Sequence, residues 1–184
     1  ESEGWDDVYP AGFKALASYE DKPYFLPSNY YWWALYFRSS ILKDAGLEAP
    51  QTWEDLMTAC KTLNEKGITP IAIGTKGPWT AAAWFDYINM RLNGPEFHVN
   101  LMQLKESYTD PRVKATFMKW KELFDNKCIM ENSAALDWNE AVTPFVQGKA
   151  AMYLMGGFIT DTYNGAAAGT AAEGDLDFTR FPII

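Results

Sequence analysis

The sequence predicts an α/β fold in which helices cover a largely parallel sheet. Three observations carry that expectation. Strand-like and helix-like stretches alternate along the chain, the pattern of βα units. The strand-like stretches are apolar at both parities, as strands covered on both faces must be. The composition is that of a globular chain, with 48% hydrophobic and 22% charged residues among 184, which excludes a disordered or low-complexity polymer. This length suffices for one α/β domain, or for a domain and part of another, with a sizeable core.

The elements follow in order. YYWWALYF, residues 30–37, is rich in strand formers and apolar on both faces, so it reads as a buried strand. SSILKDAGL is then a short helix with Ser39 or Ser40 as N-cap and Gly46 as its stop. In TWEDLMTACKTLNEKG, Thr52 is followed three residues on by Asp55, a variant of the capping box. Trp53, Leu56, Met57, Cys60 and Leu63 form one helical stripe there, and Gly67 ends it. ITPIAIG, residues 68–74, is a short buried strand. TAAAWFDYINMRLNG is a helix with Trp84, Phe85, Ile88 and Leu92 on one face, closed by Gly94-Pro95. DPRVKATFMKWKELFDNK starts with Asp110 as cap and Pro111 at the first helical position, and Val113, Phe117, Trp120 and Phe124 recur at helical spacing. DWNEAVTPFVQGK predicts a helix bent near Pro144 and stopped at Gly148. AAMYLMGG is a further buried strand and DLDFTRFPII the last, with no internal repeat of solenoid period.

Charge and motifs exclude several classes of function. A net charge of -8 disfavours nucleic acid and anionic membrane faces, so a neutral ligand suits the chain best. No run of about 18 apolar residues occurs. The opening ESEGWDD has neither a start methionine nor a signal peptide, the expectation for a mature product or a fragment. Cys60 and Cys128 lack metal-like spacing and read as free and half-buried, although a fold that brought them together would let them pair. His98, the single histidine, lies in the polar stretch PEFHVN and reads as a lone surface residue, so no metal site is expected. GTKGPW and GGF match neither G-x-x-x-x-G-K-S/T nor G-x-G-x-x-G, the intervals that aim successive N–H groups at a phosphate. No cofactor is expected.

The surplus lies in the rings. Eight Trp, ten Tyr and eleven Phe make the chain 16% aromatic, more than a core of this size requires, and surplus rings line binding surfaces. Two places share a local plan in which a buried strand runs into glycine and an aromatic follows at the mouth of the next helix. They are IAIGTKGPW, with Gly74, Gly77 and Trp79, and AMYLMGGF, with Gly156, Gly157 and Phe158. In open α/β sheets ligands bind beyond the carboxyl ends of strands, where glycine admits them close to the backbone. Trp79 and Phe158 would then face one cleft; the alternative is that they plug the gap between sheet and helix. Asp86, Asp137, Glu140 and Asp161 lie near these segments, and a glycosidase needs two carboxyls across the scissile bond. Asp137 and Glu140, however, read as helix-start charges that meet the helix dipole, and no G-x-S-x-G or comparable nucleophile setting occurs. No catalytic residue is assigned.

KPYFLPSNYYWWALYFRSSILKDAGLEAPQTWEDL resembles the signature of the family 1 extracellular solute-binding proteins, the sugar-binding receptors of ABC importers, and FVQGKAAMYLMGGF resembles the later G-K-A-A-M strand of that family. Together the matches cover most of residues 20–160. The resemblance implies a periplasmic-binding-protein-like type II fold, a two-lobe clamp, here mostly one lobe with both crossing strands. Residues 1–37 would be the end of the first lobe and the first crossing, 38–176 the second lobe, and 177–184 the returning strand. It implies a non-catalytic periplasmic or extracellular receptor that takes a small-molecule carbohydrate to the membrane permease of an ABC transporter. Such a receptor is monomeric when intact, and a fragment of it would self-associate. Ungapped matching puts Tyr31 where a ligand-contacting side chain sits, with Trp33 on the same strand face, and Trp79 and Phe158 where relatives present rings to sugar. Gly77 stands where some relatives carry a hydrogen-bonding acid, and Phe37-Arg38 replaces a usual tyrosine-asparagine, so the resemblance does not give the identity of the sugar. A carbohydrate-active hydrolase and a structural interaction module are the alternatives.

Overall fold

The structure is a computed structural model that describes Gly4 and residues 8–184. The chain divides into two compact units, Glu1–Trp32 and Trp33–Ile184. In the first, helix α1 (Ala11–Leu16) leads into a two-stranded antiparallel ribbon, β1 (Ser18–Tyr19) with β2 (Lys22–Pro23). Its turn residues Glu20 and Asp21 both take positive φ. Leu16, Tyr24, Phe25, Tyr30 and Tyr31 of this unit are all exposed, and the rings of Phe13 and Tyr30 meet edge-on at 5.1 Å.

The second unit is built on a four-stranded sheet in the order β4-β5-β3-β6, with β3 Trp33–Arg38, β4 Thr69–Ile71, β5 Ala150–Gly156 and β6 Leu176–Thr179. β4 and β5 are parallel, but β3 runs antiparallel to both β5 and β6. The sheet is therefore mixed rather than largely parallel. Alternation of strands and helices dictates that both faces are covered, whereas strand direction depends on where each connection enters, which leaves no local mark in the sequence. The covering is as expected: every residue of β5 is buried, and so is β3 from Ala34 to Arg38. The β3 strand starts at Trp33, not Tyr30, because pairing begins with Trp33 opposite Gly156; tyrosine and tryptophan favour strands only where a pleated, half-buried surface is offered to them.

The helices are α2 (Ser39–Asp44), α3 (Trp53–Glu65), α4 (Trp79–Met102), α5 (Pro111–Asp125), α6 (Val142–Val146) and α7 (Ile159–Ala167). α3 has a reciprocal capping box: the Asp55 amide donates to the Thr52 hydroxyl at 3.1 Å and the Thr52 amide to the Asp55 carboxylate at 2.9 Å. Its residues Trp53, Leu56, Cys60 and Leu63 are buried. α2 is capped from a distance, since neither serine accepts a capping bond; the amides of Ser39 and Ser40 donate to the backbone and carboxylate of Asp175. Arg38 reaches the same carboxylate at 2.5 Å and also donates to the carbonyls of Phe145 and Val146, which ties the end of β3 both to the start of β6 and to the end of α6.

Three expectations are corrected here, and a fourth is extended. α4 does end its first stretch at Gly94 as expected, since that residue breaks the helix with φ 82° and ψ 158°; what the sequence does not show is the second helical stretch from Pro95 to Met102, proline being tolerated in a first turn. His98 lies on that stretch with a side chain only 12% exposed, its Nδ1 3.1 Å from Asn89 Nδ2 and its Nε2 3.8 Å from Asp86, so it is not a surface residue. On α5 the buried side is Val113, Thr116 and Leu123, while Phe117 and Phe124 are about half exposed. Thr116 goes inside because its hydroxyl has Asn89 Oδ1 and the Arg112 carbonyl as alternative acceptors for its one proton, a polar reason that an apolar stripe cannot show. Cys60 and Cys128, lastly, are not free but form a wholly buried disulfide with Cα atoms 5.2 Å apart. Cys128 is carried there by the pairing of Ile129 with Ile71, a contact between distant parts of the chain.

The core surrounds the sheet, with Trp84, Tyr153, Tyr163, Phe145 and Phe181 its largest fully buried side chains. Among the described residues no helix is long and apolar enough to cross a membrane.

Candidate functional site

Because β4 and β5 are parallel, the loops at their carboxyl ends leave the sheet on the same side, and antiparallel β3 begins on that side with Trp33. The chain runs from β4 through Gly74 and Gly77 to Trp79, the first residue of α4, and from β5 through Gly156 and Gly157 to Phe158, just before α7. The structure brings Trp33, Trp79 and Phe158 together: ring centroids lie 5.8 Å apart for Trp33 and Trp79, 6.4 Å for Trp33 and Phe158, and 6.2 Å for Trp79 and Phe158. Trp138 completes the cluster, 5.1 Å from Phe158 and 6.3 Å from Trp79. Most of these contacts are edge-to-face, the geometry that aromatic quadrupoles favour. Trp79 is 41% exposed and the other three rings are half-buried, so the cluster is open to solvent rather than sealed. Tyr31 is exposed and belongs to the first unit.

The loop that carries Trp138 is seated by backbone fit. Thr75 N–H donates to the Ser133 carbonyl at 2.8 Å and Lys76 N–H to the Leu136 carbonyl at 3.0 Å, a strand-like seam between two loops. Gly74 permits it, since a Cβ there would lie 2.3 Å from the Asp137 carbonyl oxygen. Tyr153, on β5 beneath the seam, donates its hydroxyl to the Trp138 carbonyl at 2.9 Å and accepts from the Gly74 N–H at 3.3 Å. Burial pushes its phenol well above the ordinary tyrosine range, so it stays a donor. Thr80 donates to the carbonyl of Gly74 at 2.6 Å and fixes the turn into α4. Tyr87, two turns further along α4, donates to the Trp33 carbonyl at 2.9 Å.

Of the carboxylates considered for catalysis, Glu140 accepts the Asp137 N–H at 2.7 Å and so closes its own turn. Asp161 lies in the first turn of α7, where a negative charge meets the helix N-terminus. Asp86 faces His98; burial raises its carboxyl above the usual range, and the neighbouring imidazole opposes that rise. Asp137 stands at the ring cluster, half-exposed, with its Oδ1 beside Gly77 and Lys76 Nζ at 3.5 Å. In the sequence Asp137 reads only as a catalytic carboxylate or a helix-start charge, and Trp138 belongs to neither strand-glycine-aromatic motif; the signal that could have found Trp138 is a tryptophan in the polar run DWNE ahead of α6.

Open rings beside glycines at strand ends, without a phosphate-cradling loop, make this a candidate binding site for a small organic ligand. The chain belongs to the bacterial extracellular solute-binding protein family, whose model matches residues 1–184. A probable sugar-binding periplasmic protein of Rhizobium meliloti (strain 1021) is 32% identical over 163 residues, 84% of this chain and 37% of the relative. One from Brucella suis biovar 1 (strain 1330) is 28% identical over 189 residues, 98% of this chain and 42% of the relative. Among solved structures, one from a study of xylan utilization by Caldanaerobius polysaccharolyticus is similar with a TM-score of 0.91 and 26% identity, over 99% of this chain and 46% of that one. The bacterial solute receptor AcbH, described as having an exclusive preference for β-D-galactopyranose, is similar with a TM-score of 0.79 and 28% identity, over 100% of this chain and 46% of that one. The fold is thus that of periplasmic-binding-protein-like solute receptors, a family of receptors and not of enzymes. The chain spans between 33% and 43% of the length of the curated relatives it matches.

Proposed function

We propose that the complete protein is a periplasmic or extracellular receptor that captures a sugar or oligosaccharide and delivers it to the permease of an ABC transporter. The observation that carries this reading is the open cluster of Trp33, Trp79, Trp138 and Phe158 at the joint carboxyl ends of β4 and β5. A pyranose presents polarised C–H groups on its faces and hydroxyls around its edge. Ring faces match the first, and polar groups at Gly77, Gly156 and Gly157, where the absence of a side chain admits a ligand close to the main chain, would meet the second. If each stacked ring contributes about 1 kcal/mol beyond the area it buries, three or four supply much of the roughly 8 kcal/mol of micromolar binding. The names of the relatives support the same ligand class.

Tyr31 enters this proposal on the resemblance alone, as do the two-lobe division at residues 37–38 and 176–177 and the monomeric state of the intact protein. A hydrolase is disfavoured because Glu140 is engaged on its own turn, Asp86 on His98 and Asp161 at the start of α7, which leaves Asp137 without a second carboxyl assigned to it. The test is calorimetric titration of the complete protein with mono- and oligosaccharides, together with chromatography of each mixture after incubation. The expected result is binding of at least one sugar with no cleavage product. Turnover abolished by Asp137→Asn would establish the hydrolase instead, and absence of any sugar binding would overturn both.

A further inference from the structure

Rings meet the faces of a sugar and leave its hydroxyl edge unread, and a receptor that distinguishes one sugar from another has to read that edge with polar groups. We propose that Asp137, assisted by Lys76, is the hydroxyl-binding and specificity-determining group of this site, accepting hydrogen bonds from a pair of adjacent hydroxyls on a neutral sugar. The inference rests on the sugar-receptor reading above and deepens it.

The geometry has three parts. Asp137 precedes Trp138 directly, so its carboxylate stands at the rim of the ring cluster, and its Oδ1 lies 3.7 Å from where a Cβ on residue 77 would sit. The same Cβ would press to 3.1 Å on the Trp79 indole nitrogen, so glycine at 77 keeps the space between ring and carboxylate clear. Secondly, the carboxylate is positioned without being consumed. The main chain of Asp137 is held by the Glu140 carboxylate and by the amide of Ala141, and its carbonyl rests against Gly74, while its side chain remains 44% exposed. Thirdly, Lys76 Nζ stands 3.5 Å away, farther than a strong charge-assisted hydrogen bond, and is itself 60% exposed. An exposed pair this loose is weakly held together, so both partners are free to turn to a ligand. A carboxylate accepts from two vicinal hydroxyls and an ammonium donates to a neighbouring oxygen. The pair sums to zero charge, which suits a neutral sugar better than a uronic acid.

The experiment uses the complete protein and a panel of D-galactose, D-xylose, xylotriose and cellotriose, the tightest binder being taken forward with its monodeoxy analogues. Asp137→Ala should weaken that sugar about 10- to 100-fold, the range expected for lost hydrogen bonds to a charged group, and Asp137→Asn should weaken it less. In the unaltered protein one or two deoxy analogues should bind worse than the parent sugar, and against Asp137→Ala that difference should vanish. Trp79→Ala should weaken the whole panel without altering the ranking of the analogues. Thermal unfolding of each variant checks that the fold is kept, and Asp137→Asn serves where Asp137→Ala is destabilised. Unchanged affinity and unchanged analogue ranking in both Asp137 variants, with binding lost in Trp79→Ala, would overturn this assignment and leave the receptor reading standing. If the unaltered protein binds no sugar, the receptor reading falls and this assignment with it.

Discussion

Two groups of rings in the second unit use the same residue types for opposite ends. Trp84 and Phe181 are wholly buried and meet edge-on at 5.6 Å, with Tyr87 stacked on Phe181 at 4.8 Å and Trp53 tilted against it at 6.5 Å. Trp33, Trp79, Trp138 and Phe158 lie at similar ring spacings, yet Trp79 is 41% exposed. Ring-to-ring distance therefore does not separate core from site. What separates them is the covering: α3, α4 and the segment after β6 close over the first group, whereas the second stands on loops at strand ends. The interior rings should carry stability and the open ones affinity. Exchanging tryptophan for alanine in each group tests this most strongly. Trp84→Ala should cost about 3–5 kcal/mol in urea unfolding, as for a fully buried aromatic. Trp79→Ala should leave the urea midpoint nearly unchanged and weaken sugar binding by about 1–3 kcal/mol. A collapsed midpoint with unaltered affinity in Trp79→Ala would make it a core plug after all.

The disulfide belongs with the interior group and gives the next largest effect. It joins α3, which begins with the buried Trp53, to the segment that pairs beside β4, and closes a loop with a sequence separation of 68 residues. Replacing both cysteines by alanine should remove about 2–4 kcal/mol of stability, read as a lowered melting temperature, with sugar affinity per folded molecule unchanged. A loss of affinity exceeding the loss of folded protein would show that the link also shapes the site.

These contrasts also explain what the sequence revealed. The capping box of α3, the proline and aspartate that open α5, and the strand-glycine-aromatic motifs at Trp79 and Phe158 were legible because each signal lies within a few residues. The misreadings share one cause, dependence on a distant partner. The burial of Thr116 in place of Phe117 depends on Asn89, the capping of α2 on Asp175, the pairing of Cys60 on Cys128, and the direction of β3 on β5. Trp138 escaped for the same reason: the seam between residues 75–76 and the carbonyls of Ser133 and Leu136, with the Tyr153 hydroxyl on its own carbonyl, brings it to the other rings.

Acid probes the distant-partner contacts directly. Asp175 lies where β3 and β6 are pinned together; burial works to raise its carboxyl, but hydrogen bonds from the Ser40 side chain and amide and the Arg38 guanidinium prevail and hold it below the usual 3.8. A carboxyl whose folded pKa is depressed contributes stability that is fully present above the unfolded value and lost as pH falls through the folded one. Unfolding free energy should therefore decline as the pH drops below about 3.8, and Asp175→Asn should flatten part of that decline while lowering stability at neutral pH. An identical acid profile in the variant would assign the decline to other carboxyls.

The smallest effect is the most local. Thr52 caps α3 through its hydroxyl, and the next residue is Trp53, whose indole N–H donates to Glu122 at 2.7 Å and whose ring packs against Phe181. Thr52→Ala removes one acceptor for an exposed helix-end amide and leaves the Asp55 carboxylate still bonded to the backbone of residue 52. The cost should be about 1 kcal/mol, well short of that of Trp84→Ala, because the amide it frees is open to water. Thr52→Ser, which keeps the hydroxyl, should recover most of it. Since the cap touches only an interior ring, sugar affinity in Thr52→Ala should match the unaltered protein. A measurable loss of affinity would mean that the seating of Trp53 reaches the open cluster through α4, and the division between stabilising and ligand-facing rings would no longer hold.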